Sequence, residues 1–211
     1  YSVNDNSDPL NYGSGGSPKY ASCADSFVLY VTDGAPTADE DTPGDLQAYN
    51  SNPSTGNTHN SAINHSDHLE DVAYYSRVND FRSSSAGSNE IAGDQNLILY
   101  PLYAFGSDSD ARELLKKSAI TGGFQDLDGD GVPYYASSGC SLGSANTDSR
   151  CAEWDEDGDG EPDNYFEAEN GSELESKLRQ AITAILERAS SGSTVATIST
   201  QTRSGGTLLQ A

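Results

Sequence analysis

Long apolar runs are missing from this sequence, and basic residues are few. No stretch reaches the ~18 consecutive apolar residues that a membrane-spanning helix requires, so no helical span is expected. Lysine and arginine number 11 against 33 aspartates and glutamates, a formal net charge of −22. A field of that sign repels nucleic acid and anionic membrane surfaces, which removes both as expected partners. It favours a solvated exterior, or bound cations that neutralise part of the charge. Hydrophobic residues make up only 34% of the 211 residues. That length holds one large domain or two small ones, with an economical core and long loops. The opening stretch, YSVNDNSDPLNYG, has no charged segment followed by an apolar one and reads as the interior of a longer protein.

Cysteine is scarce as well. Cys23, Cys140 and Cys151 form no CxxC or CxxCH pattern, which argues against structural zinc and a c-type haem. Cys140 and Cys151 are close enough in sequence to close a small loop. In an exported protein they are expected to pair, stabilising by about 3 kcal/mol if unstrained. Cys23 is then free or paired outside this chain. Of His59, His65 and His68, the last two sit three residues apart at a helix start, a spacing read as ordinary surface. No serine, cysteine or histidine constellation suggests nucleophilic catalysis, and nothing selects a carboxylate pair for glycoside hydrolysis. The expectation is a protein that is not an enzyme. NHS (64–66) and NGS (170–172) match glycosylation acceptors by spacing alone.

What is present alternates between strands and helices. FVLYVTDG (27–34) reads as a buried strand whose end presents Asp33. A polar loop rich in Pro, Gly, Ser and Asn covers 35–66. DHLEDVAYYSRVNDFR (67–82) predicts an amphipathic helix capped by Ser66 or Asp67, with Leu69, Val72, Ala73, Ser76 and Asp80 on one side and Tyr75, Val78 and Phe81 beside it. NLILYPLYAFG (96–106) is a second strand, in which Pro101 implies a bulge or an edge. A helix over 109–123 can be ended by Gly122 and Gly123. After the acidic segment come a short strand and a helix over about 172–189, striped by Leu174, Leu178, Ile182, Ile185 and Leu186. The tail holds two β-like runs around a Gly-rich turn. This is an α/β order with a parallel sheet, but the sheet looks one half short.

The acidic segment carries the most specific signal. From Asp155 the spacing is D-x-D-x-D-G-x-x-D. Calcium takes hard oxygen donors at alternating positions, with glycine at the sharp turn. Asp155, Asp157 and Asp159 would give side-chain oxygens, Glu161 its backbone carbonyl, and Asp163 an oxygen directly or through water. Phe166 stands where an EF-hand has its bidentate glutamate, and Glu167 comes one residue late. The loop is thus EF-hand-like without EF-hand helices and resembles the calcium loops of thrombospondin type-3 repeats. Upstream, Asp126, Asp128 and Asp130 repeat the register, with Val132 as the carbonyl donor and Tyr134 in the ninth place. That loop lacks one donor, which a carboxylate from elsewhere could supply. Oxygen-only donors disfavour zinc and copper, and magnesium prefers fewer protein ligands, so the expectation is one or two Ca2+ ions.

A strand ending in TDG resembles part of a von Willebrand factor A domain. In order, CADSFVLYVTDGAPTADEDTPG, LEDVAYYSRVNDFR, LILYPLYAFG, GGFQDLDGDGVP and EWDEDGDGEPDNYFEAENGSELESKLRQAITAIL resemble type IV pilus tip adhesins of the PilY type. The tail from ASSGSTVATIST to GGTLLQA resembles the stretch that precedes that family's β-propeller. The resemblance implies a Rossmann-like parallel sheet with helices, lacking its N-terminal strands, and Asp33 as the adhesion-site aspartate. It divides the chain into an irregular segment (1–22), a partial A-like domain (23–190) with a calcium-loop insertion at 124–164, and a β-rich tail or linker (191–211). The D-x-S-x-S sequence that completes such an adhesion site is not found. An N-terminal fragment or second chain would have to complete the sheet, and only then could Mg2+ sit at Asp33.

The implied role is extracellular and non-enzymatic: adhesion and assembly at a pilus tip on a Gram-negative bacterium. Its partners would be minor pilins or other filament subunits, and a host or abiotic surface. The alternative is a structural subunit or coat protein of an extracellular filament, stabilised by calcium and joined by strand addition.

Overall fold

A computed structural model describes residues 25–34, 42–44, 46, 68–83, 90–134 and 139–191. The segment 1–22, Cys23, His59, His65, the proposed caps Ser66 and Asp67, the NHS acceptor and the tail beyond Ser191 lie outside the described residues.

Among the described residues three strands form one parallel sheet in the order β1 (Ser26–Thr32), β2 (Leu97–Ala104), β3 (Phe166–Ala168). Helix α1 (Leu69–Val78) connects β1 to β2, α2 (Ser109–Gly123) leads from β2 towards the insertion, and α3 (Gly171–Ser191) follows β3. This is an α/β arrangement of Rossmann-like kind. The period-2 alternation of β2 assigns its two faces. Ile98, Tyr100, Leu102 and Ala104 pack with Phe166 and with Leu174, Leu178, Ala181 and Ile185 of α3. Tyr103 faces the other way, towards Ala111 and Leu115 of α2 and Leu69 of α1. Both faces of β2 are therefore covered. β1 is not so protected: Val28, Tyr30 and Val31 are exposed, and its outer edge has no partner strand among the described residues.

Several expected details are corrected. Pro101 sits in the central strand, opposite Tyr30, without breaking the register. The Leu99 carbonyl points to the β3 side, where it accepts from Asn164 Nδ2 at 2.7 Å. Alternation puts the missing N–H of Pro101 on that same side, before the pairing with β3 begins at Leu102. No ladder bond is lost there. Helix α1 starts after His68, whose side chain makes no capping bond, and it stops at Val78. Its buried residues are Glu70, Asp71, Ala73 and Tyr74, while Val78 and Phe81 are exposed. The buried face is rotated because α1 packs on α2 and its Tyr74 reaches the acidic insertion.

Gly122 and Gly123 are the last two residues of α2, as expected, and they also serve contact. A Cβ on Gly122 would stand 2.8 Å from Ala73 Cβ, and one on Gly123 would stand 1.8 Å from Asn164 Nδ2. The helix ends at Gly123, with Phe124 as its C-cap donating its N–H to the Ile120 carbonyl. Its N-terminus is capped by Asp108, which accepts from the N–H groups of Asp110 and Ala111. On α3 the apolar stripe is narrower than expected, with Ile182 50% and Leu186 63% exposed. Asn170 of the NGS triplet accepts from the N–H groups of Ser172 and Glu173 at the start of α3.

Gly123→Ala should destabilise by about 1–3 kcal/mol, because the new methyl must displace a buried, doubly bonded Asn164. Urea unfolding of the variant measures this. A second expectation concerns pH. Burial alone would push the Glu167 carboxyl up, but the bonds from Arg112 and Tyr165 outweigh it and hold it below its ordinary value of 4.5. A depressed folded-state value stabilises the fold above the ordinary value, and that contribution is lost as pH falls below it. Arg112→Gln should therefore lower stability at neutral pH and flatten its decline into acid, as read from urea midpoints across that range.

Candidate metal centre

The acidic segment folds into two loops with the same local wiring. In the first, Asp126 Oδ2 accepts from the Gly131 N–H at 3.1 Å, Asp128 Oδ1 from Asp130 N–H at 3.1 Å, and Asp130 Oδ1 from Val132 N–H at 2.7 Å. In the second, Asp155 Oδ2 accepts from Gly160 N–H at 3.0 Å, Asp157 Oδ1 from Asp159 N–H at 3.2 Å, and Asp159 Oδ1 from Glu161 N–H at 2.7 Å. The turn demands left-handed backbone at the glycines: φ is +80° and +76° at Gly129 and Gly131, and +75° and +87° at Gly158 and Gly160. Spacing and glycines together thus impose one geometry twice.

Each loop gathers three carboxylates. Asp126, Asp128 and Asp130 offer one oxygen each within 4.8 Å of one another, and so do Asp155, Asp157 and Asp159. Either triad could hold a metal ion. The first is wholly exposed; in the second Asp155 is buried, with 2% exposure. Asp155 Oδ1 is buried with no hydrogen-bond partner among the described residues. An ionised oxygen in that position is costly unless a donor or a cation meets it. The residues therefore fit a hard cation.

The remaining predicted donors are placed less simply. Glu161 commits its carboxylate to Lys116 Nζ at 2.6 Å, so the backbone carbonyl is the part of it left for a ligand role. Val132 occupies the equivalent place in the first loop. Asp163 does not join the 4.8 Å group; its Oδ2 accepts from the Glu156 N–H at 2.8 Å. Although Asp163 keeps an exposed surface, its carboxyl is pushed up to about 6, chiefly by desolvation. The Glu156 N–H opposes that rise, and the charges of Asp157 and Asp155 add to it. By Phe166 the chain has entered β3, and Glu167 is bound by Arg112, which accounts for the missing EF-hand ligand. Asp33 stands exposed after the end of β1, and among the described residues no group of three metal-ligating side chains includes it. His68 Nδ1 bonds Asp71 Oδ2 at 3.1 Å.

Glu153 and Asn146, which spacing alone did not single out, organise the site. The Glu153 carboxylate is buried and accepts from Leu127 N–H at 3.3 Å and Tyr134 N–H at 2.8 Å, the two ends of the first loop. Burial raises its pKa against those two donors, and the charges of Asp128 and Asp130 add to the rise. Trp154 Nε1 donates to the Tyr134 carbonyl at 2.8 Å, and Gln125 N–H to the Glu153 carbonyl at 2.7 Å. The first loop is thereby pinned to the residues that open the second. Cys140 and Cys151 are joined, with Cα atoms 5.6 Å apart, and pack with Tyr74, Ile120, Phe124 and Trp154. Position in the chain, just before the second aspartate run, was the only sequence hint to Glu153.

Compared with protein-family models, curated proteins and solved structures, the chain finds no match in any of the three.

In Asp155→Asn the amide oxygen can keep both donors of Oδ2, the Gly160 N–H and the Asn146 side-chain amide, and the amide nitrogen replaces the unpartnered oxygen. In chelator this variant should melt at or above the temperature of the native chain. With calcium in excess the order should reverse. Thermal melts of both proteins in both conditions test this, and an equal loss in both would show that Asp155 has only a structural part.

Proposed function

We propose that this chain is a calcium-stabilised, non-enzymatic component of an extracellular adhesive or assembly apparatus, of the kind found at type IV pilus tips. The observation that carries the calcium reading is the buried Asp155 oxygen without a donor, set in a loop of three converging carboxylates. An all-oxygen donor set at alternating positions suits Ca2+ better than zinc or copper. The ion neutralises charge that otherwise opposes folding, so its first role is to hold the insertion rigid.

The adhesin reading rests on the ordered resemblance to PilY-type proteins, and the parallel sheet with helices on both faces supports an A-type domain. In this reading the insertion lies beside a partial A domain whose β1 edge receives further strands. The bridge between Cys140 and Cys151 is compatible with an oxidising, extracellular setting. No helix among the described residues is long and apolar enough to cross a membrane. A second reading, a filament subunit joined by strand addition, is favoured by the exposed Val28, Tyr30 and Val31 on the open edge of β1.

A cation bound only to the folded state stabilises it by mass action, about 2.7 kcal/mol at a hundredfold excess over Kd. Calcium should therefore raise the melting temperature and a chelator lower it, with one or two ions bound per chain by calorimetric titration. A transition that ignores both, with no metal in elemental analysis of the native protein, would sink the proposal.

A further inference from the structure

Although the two loops share one sequence pattern, they are not equivalent. We infer that the 143–146 part of the disulfide-closed strap between Cys140 and Cys151 is a wall of the second loop, and that Asn146 positions Asp155 for the cation there, whereas the first loop meets the strap through Arg150 over the Tyr134 ring. This rests on the calcium reading and goes beyond it by ranking the two sites.

The strap is laid directly on the loop. Gly143 N–H donates to the Gly160 carbonyl at 2.8 Å, and Asn146 N–H to the Gly158 carbonyl at 2.9 Å. The fit is close: a Cβ on Gly160 would stand 2.3 Å from the Ser144 carbonyl oxygen, and one on Gly158 2.7 Å from that of Asn146. Glycine is therefore required at both places for contact as well as for backbone angle.

Asn146 is oriented without ambiguity. Its Oδ1 accepts from Ser141 N–H at 2.8 Å, and its Nδ2 donates to the Ser141 carbonyl at 3.2 Å and to Asp155 Oδ2 at 2.6 Å. A flipped amide would set oxygen against carboxylate and carbonyl oxygens. With Gly160 N–H also on Oδ2, the Asp155 carboxylate is locked by two donors on one oxygen. Oδ1 is left as the oxygen free to ligate. In the first loop the matching aspartate is spent differently: Asp126 Oδ1 accepts from Gly129 N–H at 2.9 Å, and the residue is exposed. The second loop thus keeps a buried, donor-free oxygen for its ion, whereas in the first each Asp126 oxygen already accepts a backbone N–H and the residue is exposed. Loop two fills first, and Asn146 acts on it as a positioning residue without touching the metal.

The test uses the full chain in two backgrounds, each leaving one loop intact. Asp126→Asn, Asp128→Asn and Asp130→Asn together leave loop two; the same change at Asp155, Asp157 and Asp159 leaves loop one. Calcium affinity is measured by calorimetric titration with and without Asn146→Ala. In the loop-two background the substitution should weaken binding about tenfold or more, as loss of a group orienting a ligand does elsewhere. In the loop-one background affinity should be unchanged, which also shows that the fold survives. Unchanged affinity at loop two, or equal losses at both loops, would overturn the inference. Failure of the unaltered chain to bind calcium would instead overturn the calcium reading itself, and this inference with it.

Discussion

Three carboxylates held within 4.8 Å repel one another, and the insertion is built to bear that repulsion twice. Part of the load is carried by backbone N–H groups, which each loop turns inward onto its own aspartates. Glycines at positive φ make that turn possible. What the N–H groups do not satisfy, a cation could meet. Rigidity around the loops matters for the same reason: a loose loop relieves repulsion by opening, whereas a braced one needs a counter-charge to relieve it.

Bracing comes from the way the insertion is joined to the sheet and helices. Phe124, at the end of α2, packs with Tyr74, Trp154 and the disulfide, so the first loop leaves directly from a core cluster. Arg77 and Arg188 both donate to the Phe124 carbonyl, and Arg188 also to that of Gly123. Two guanidinium groups thus meet the electronegative end of α2. Burial, then the nearby Arg188 charge, lowers the pKa of Arg77. Because Arg188 belongs to α3, both helical layers hold the root of the insertion. At its other end Asn164 ties the chain to the β2 edge and to α2 before β3 begins.

The sheet itself has an asymmetry that bears on assembly. β2 is covered on both faces and β3 lies on one side of it, while β1 presents an outer edge with exposed apolar residues. An edge of this kind is a template for another strand unless something blocks it. The adhesin and filament readings differ in which strand takes that place.

The alternation of apolar runs with amphipathic stretches was enough to read the parallel α/β order and nearly every element, because those periods depend only on neighbours along the chain. Spacing likewise identified both aspartate loops, since D-x-D-G-D-G can turn in few ways. Tertiary contact decided the rest. Which face of α1 is buried depended on Tyr74 reaching Gly131, 57 residues away. Gly122 and Gly123 proved to be contact residues because Ala73, Leu99 and Asn164 approach them from elsewhere. Pro101 is tolerated in a central strand only because β3 pairs just beyond it. The difference between two loops of the same local pattern lies in Asn146 and the 143–146 part of the strap, which two backbone bonds and the Asn146 amide bring onto the second loop, while the first meets Arg150 at Tyr134. Local sequence determined the shape of each loop, and only long-range packing gave the two loops different surroundings, burying Asp155 under Asn146 and leaving Asp126 exposed.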